Sequence, residues 1–269
     1  MKNTSSNEEF VRGLETYARS HYALTHPYLS RMANGDFPDM VGAIRDFAHQ
    51  YSFYSSHFTQ YLKCVLDNLE NPEHIEDLLE NLEEEEGRML PEMTLDHPKA
   101  GMSHAELFED FKRAIGVDEA YKSNNPPVDT VMKWRKSMLV TCASSAAAGV
   151  GAIGMATETI VPQVYQQILT GIVSHTDMHQ DDYIFFEIHA ECDIQHSEDL
   201  LSIAADLADT AESRRAMRNA TARILNMIKM FTPAEQEAPT EQNVQRLLAK
   251  MVEEGKLELS AGQYKLTQQ

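Results

Sequence analysis

Positive charge is scarce in this chain. Twenty-three lysines and arginines stand against 42 aspartates and glutamates, a formal charge of −19 over 269 residues with histidine neutral. So acidic a surface repels phosphate backbones and anionic lipid, which excludes nucleic acid and a membrane face and leaves a small-molecule substrate as the expected partner. Cysteine is scarcer still. Cys64, Cys142 and Cys192 are far apart, odd in number and without a C-x-x-C spacing, so neither a disulfide framework nor a zinc knuckle is encoded. The opening MKNTSSNEEF lacks the apolar run of a secretory leader, and with reduced thiols this makes the cytoplasm the expected compartment. Runs of β-branched residues and Asn-Gly turns are few as well, which argues against a sheet protein.

What is present is helical periodicity. From about Asn7 to Thr232 apolar residues recur at three and four. The spacing predicts a first helix through Phe10, Val11, Leu14, Tyr17 and Ala18 that continues past a kink at Pro27 to Gly35. A second is expected from near Asp39 to Asn71, and a third from Pro72 to Gly87 with Ile75, Leu78, Leu79 and Leu82 inward. Ser103 and Glu106 make a capping-box pattern at the head of the next helix. After a loop at KSNNPP, a long helical region begins near Val128, followed by helices over about 181–207 and 211–231. The expectation is an all-α, up-and-down bundle of about seven helices over residues 1–232. Residues 233–269 are expected to form a linker, an amphipathic helix at TEQNVQRLLAKMVEEG and a hairpin at KLELSAGQYKLT, an accessory unit serving assembly, with a homodimer as the assembly.

One stretch departs from the rest. Of the 38 residues from Ser137 to Ser174 only Glu158 is charged, and Ser137 to Thr157 is long enough to span a bilayer. Its Ala, Gly, Ser and Thr content points instead to close helix–helix contact in a tight core. A lone buried carboxylate there needs a partner, because an unpaired one costs several kcal/mol or stays protonated.

Candidate partners lie on other helices. His189, Asp193 and His196 are spaced i, i+4 and i+7, which puts two imidazoles and a carboxylate on one face among Ile188, Cys192, Leu200 and Leu201. Glu85 continues the buried Leu78–Leu82 stripe of its helix, while its neighbours in the run Glu83 to Glu86 read as a solvated face. His104 sits in the first turn after Ser103. Three carboxylates and three imidazoles on four helices suit two divalent metals better than one, since charges of +4 and −3 nearly cancel in an apolar interior.

Four motifs in order, E-N-L-x-x-E-x-G, S-H-x-x-L-F, a lone Glu in G-x-x-x-A-T-E-x-I-V-P and H-x-x-x-D-x-x-H, resemble those of the heme-oxygenase-like diiron oxidases, relatives of the TenA and PqqC helical bundles. The similarity spans roughly residues 8–230. It implies a heme-oxygenase-like bundle with Glu85, His104 and His189 on one iron and Glu158, Asp193 and His196 on the other, Glu84 or Glu86 replacing Glu85 if the register shifts. It also implies two ferrous ions, or a manganese–iron pair, that activate dioxygen to oxidise a small metabolite, here expected to be a free amino acid. A fatty-acid decarboxylase, a TenA-like hydrolase and an interaction protein are the competing readings. Where some members carry a labile carboxylate on the second helix, this chain has His57, read as a catalytic group or as a core histidine bonded to a hydroxyl. Tyr51, Tyr54, Phe58, Tyr183 and Phe186 are candidate pocket walls, and Lys133, Arg135 or Lys136 candidate carboxylate anchors.

Overall fold

The first apolar stripe folds as α1 (Thr4–Arg19), burying Val11, Leu14 and Ala18. The computed structural model describes residues 4–88, 99, 101–228, 257–260 and 263–266, without the side chains of 4, 190–194 and the last two segments. Pro27 does not kink a continuing helix but opens a new one. A 3-10 turn (Tyr22–Thr25) ends α1's course, His26 Nδ1 accepts the Tyr28 N–H, and Pro27 takes the first turn of α2 (Pro27–Asn34). Gly35 closes α2 at φ +74, a left-handed conformation that suits glycine.

The expected second helix divides into α3 (Met40–Ser55) and α4 (Phe58–Leu66). A continuous helix would give the Tyr54 carbonyl to the Phe58 N–H. Here it accepts from the His57 N–H at 3.2 Å and from the Tyr61 hydroxyl at 3.3 Å, and the chain turns. Helix α5 (Pro72–Glu85) is capped by Asn71, and α6 (His104–Ala114) by the reciprocal Ser103–Glu106 box. Part of the expected KSNNPP loop is helical, as α7 (Glu119–Asn124).

The uncharged stretch forms the end of α8 (Asp129–Cys142), then α9 (Ala146–Val150), a π-helical segment (Gly151–Glu158) and α10 (Val161–His175). The π segment is buried throughout, and its wider turn shows in the Thr159 N–H reaching the Gly154 carbonyl at 3.0 Å. Helices α11 (Gln180–Leu207) and α12 (Ala211–Ile228) complete the bundle. The long helix α11 packs against α1, α5, α6, α9, α10 and the π segment, so its faces reach most of the interior. Interruption of the expected long helices turns about seven into twelve α-helical segments among the described residues.

Small residues set the closest approaches. A Cβ on Gly151 would lie 2.7 Å from the Met217 carbonyl oxygen, and one on Gly171 2.5 Å from that of Met32, both backbone atoms that cannot swing aside. Gly151→Ala and Gly171→Ala are each expected to destabilise by about 2 kcal/mol through overpacking. Thermal melts should show this as a fall of roughly 4–8 °C in a chain of this size. Unchanged melting of both variants would contradict the packing described.

The chain divides into two compact units, Met1–Pro233 and Ala234–Gln269. In the second, β1 (Leu257–Ser260) pairs antiparallel with β2 (Gln263–Leu266), Leu257 facing Leu266 in register, which is the expected hairpin. The expected amphipathic helix lies outside the described residues. Among the described residues no helix is long and apolar enough to cross a membrane.

Candidate metal centre

Glu85 at the end of α5, His104 at the start of α6 and His189 in α11 meet in the interior. One ligand atom from each lies within 4.8 Å of the others, and all three side chains are buried. His104 Nδ1 is 3.1 Å from Glu85 Oε2, and His189 Nε2 is 4.0 Å from Glu85 Oε1. The Ser103 capping box places His104, because it fixes where the first turn of α6 begins. His189 Nδ1 lies 2.6 Å from the Phe185 carbonyl. A carbonyl only accepts, so Nδ1 carries the proton and Nε2 keeps its lone pair toward Glu85 and His104.

The charges agree with that arrangement. Burial pushes the Glu85 carboxyl up, but the imidazoles of His104, His189 and His196 outweigh it and bring it to about 2. Burial, with His104 adding to it, lowers His189 to about 3, so its imidazole is neutral at ordinary pH and ready to donate an electron pair.

A second set lies beside the first. Glu158, only 2% exposed, ends the π segment, and burial pushes its carboxyl up to about 7, opposed by His196 and reinforced by the charge of Glu85. No hydrogen bond of normal geometry reaches Glu158 Oε1 among the described residues. His196 Nε2 is 2.8 Å from Glu84 Oε2, and the carboxylates around the ring raise its pKa although burial lowers it. The side chain of Asp193 lies outside the described residues. Carboxylate and imidazole donors grouped with no lysine or arginine lining the cavity among the described residues suit a divalent transition metal, and the unsatisfied Glu158 oxygen fits the same group.

The run Glu83 to Glu86 divides in two. Glu83 pairs with Arg88 and Glu86 with Lys63 at the surface, whereas Glu84 and Glu85 turn inward to His196 and His104. Nothing in four consecutive glutamates marks the inner pair; the tertiary cations select it.

A cavity of about 60 Å³ opens onto Glu85, His104, Glu158 and His189. Its walls include the expected Tyr51, Tyr54 and Phe58, joined by Phe108, Tyr165 and Phe185. The Tyr51 and Tyr165 hydroxyls are 2.8 Å apart, and Tyr54 stacks on Trp134 with centroids 3.7 Å apart and planes 10° from parallel. Tyr183 and Phe186 are not among the lining residues, nor are Lys133, Arg135 and Lys136. His57 too is absent from the lining: it stands at the N-cap position of α4 without a side-chain cap bond, and its Nδ1 is 3.1 Å from Ser56 Oγ, the hydroxyl contact of the alternative reading. Its pKa is lowered by burial and by Arg135. Burial pushes the Cys142 thiol well up and Cys64 also upward, which suits neither to a hydrolase nucleophile.

Residues 45–228 match the family model described as iron-containing redox enzyme. Residues 218–266 match a model for anaphase promoting complex (APC) subunit 2, too small a share of the chain to assign it. A 4-aminobenzoate synthase of Chlamydia muridarum is 23% identical over 235 residues, covering 86% of this chain and 92% of that protein. A TenA homolog from Pseudomonas syringae pv. tomato superposes with a TM-score of 0.63 at 12% identity, over 84% of this chain and 89% of its own. A domain of unknown function with a heme oxygenase-like fold from Shewanella denitrificans gives 0.60 at 12% identity, over 99% of both chains.

Proposed function

This chain belongs to the iron-containing redox enzyme family, and from that premise we propose that it is a non-heme diiron oxidase using dioxygen to oxidise a small, amino-acid-type metabolite. It is an oxidoreductase with a heme oxygenase-like all-α fold. The observation that carries the proposal is the buried meeting of Glu85, His104 and His189 on one wall of an aromatic cavity. Glu85, His104 and His189 would hold one iron, and Glu158, Asp193 and His196 the other. Bound iron would supply the electrons that reduce dioxygen and hence the oxidising power. The protein's own part is geometry: the Phe185 carbonyl holds the His189 ring, and Tyr51, Tyr54, Phe108, Tyr165 and Phe185 wall the cavity against water and orient the substrate. The name of the chlamydial relative, 4-aminobenzoate synthase, supports a small amino-bearing metabolite as the substrate class.

The test is iron content after anaerobic ferrous loading, followed by oxygen consumption. Two irons per chain and uptake of oxygen are expected. Less than one iron, or iron without oxygen uptake, would overturn the reading.

Metal uptake should also depend on pH. The Glu158 carboxyl holds its proton up to about 7 in the metal-free state, so binding must expel that proton. Apparent affinity is expected to rise between pH 6 and pH 7.5 and then to level. A Mn(II) titration with calorimetric counting of released protons measures it, and flat affinity with no proton release would remove Glu158 from the ligand set.

A further inference from the structure

Helix α11 carries two histidines into the site, and they are anchored by opposite nitrogens. His189 is held through Nδ1 by the Phe185 carbonyl at 2.6 Å. His196, two turns and about 10 Å further along, is held through Nε2 by Glu84 Oε2 at 2.8 Å, with 4% of the histidine and 10% of the glutamate side chain exposed. We propose that Glu84 is a positioning residue: its carboxylate accepts the Nε2–H of His196, fixes that tautomer and ring orientation, and leaves Nδ1 as the atom His196 offers to the second metal. The proposal rests on the diiron reading for the metal and on the Glu84–His196 contact for the tautomer.

The physical argument is the fixed proton count of imidazole. A neutral ring has one N–H and one lone pair, so whichever nitrogen donates to Glu84, the other becomes the ligand. An oxygen that accepts from a metal-binding histidine also holds its ring orientation and raises its basicity, a support whose loss costs typically 10–100-fold in metal affinity. Glu84 is placed for this by its position next to Glu85. Successive residues on α5 point about 100° apart, and because α11 lies alongside α5, Glu85 meets His104 and His189 while Glu84 meets His196. One turn of α5 thus serves both sets, Glu85 within the first and Glu84 behind a histidine of the second.

The experiment has two arms. Nitrogen-15 histidine spectra of the metal-free protein, recorded at rising pH until the ring resonances stop shifting, report the tautomer of the neutral ring directly. In the wild type and in Glu84→Gln, whose amide oxygen still accepts, His196 is expected as the Nε2–H form and His189 as the Nδ1–H form. Glu84→Ala should lose the His196 preference and leave His189 unchanged. In the second arm, Co(II) is titrated into each protein. Glu84→Gln should retain both Co(II) ions within a few-fold of wild-type affinity, and Glu84→Ala should bind the second 10- to 100-fold more weakly with the first unaffected. An Nδ1–H form of His196 in the wild type would overturn the proposal. So would equal loss in both variants, which would make Glu84 itself a ligand, or no loss in Glu84→Ala. Failure of the wild type to bind Co(II) would overturn the diiron reading alone, because the spectra decide the tautomer without metal.

Discussion

Glu158→Gln is expected to make the metal-free protein more stable at pH 8, an unusual outcome for loss of a buried charged group. The folded-state pKa of Glu158 is raised from 4.5 to about 7 by burial. As pH rises through that interval the unfolded chain releases the proton and the folded one retains it, so this residue costs stability progressively and in full above about 7. At about 1.4 kcal/mol per pH unit the cost is on the order of 3 kcal/mol. Glutamine has the same shape and no proton to lose. Calorimetry of metal-free protein should therefore show the variant melting roughly 5–10 °C higher at pH 8 and close to wild type at pH 4.5. Ferrous iron should reverse the order, stabilising the wild type by mass action and the variant much less. Equal melting at both pH values would show that Glu158 reaches solvent.

His189→Ala is expected to abolish the first metal. The variant loses a donor from a three-ligand group and leaves Glu85 buried with one imidazole fewer to hold its proton off. Iron content after ferrous loading should fall by at least one equivalent, and His104→Ala should behave alike. Glu86→Gln and Glu83→Gln touch only surface pairs with Lys63 and Arg88, and they should bind iron as the wild type does. Full iron content in His189→Ala would remove the histidine from the site. A loss in Glu86→Gln as large as in His189→Ala would mean that the inward register of α5 is shifted.

Where side-chain chemistry follows helical spacing, the sequence is readable. The i, i+7 pair His189 and His196 and the stripe Leu78, Leu82, Glu85 each share one helix face, and burial of the apolar residues on that face turns them inward. Local rules also place His104, since Ser103 and Glu106 determine the first turn of α6. Interruptions of helix are another matter. The break at His57 depends on the Tyr61 hydroxyl capturing a carbonyl seven residues back, and the π segment is hidden in a run of Ala and Gly that has no polar face to reveal a change of period. Spacing alone leaves Glu84 either on a solvated face or in place of Glu85, because its inward turn depends on where His196 lies on another helix. Nothing in the spacing sets Tyr165 and Phe185 apart from other core aromatics, and only packing shows that they wall a cavity.

Trp134 is the single tryptophan of the chain, buried in α8 and stacked on Tyr54, which lines the cavity. The molecule therefore carries one intrinsic fluorophore, separated from the cavity by one aromatic ring. Emission from this protein reports a single environment with no other indole to dilute the signal. Metal or substrate arriving on the far side of Tyr54 can be followed by quenching in the unmodified chain, so filling of the cavity can be timed separately from turnover.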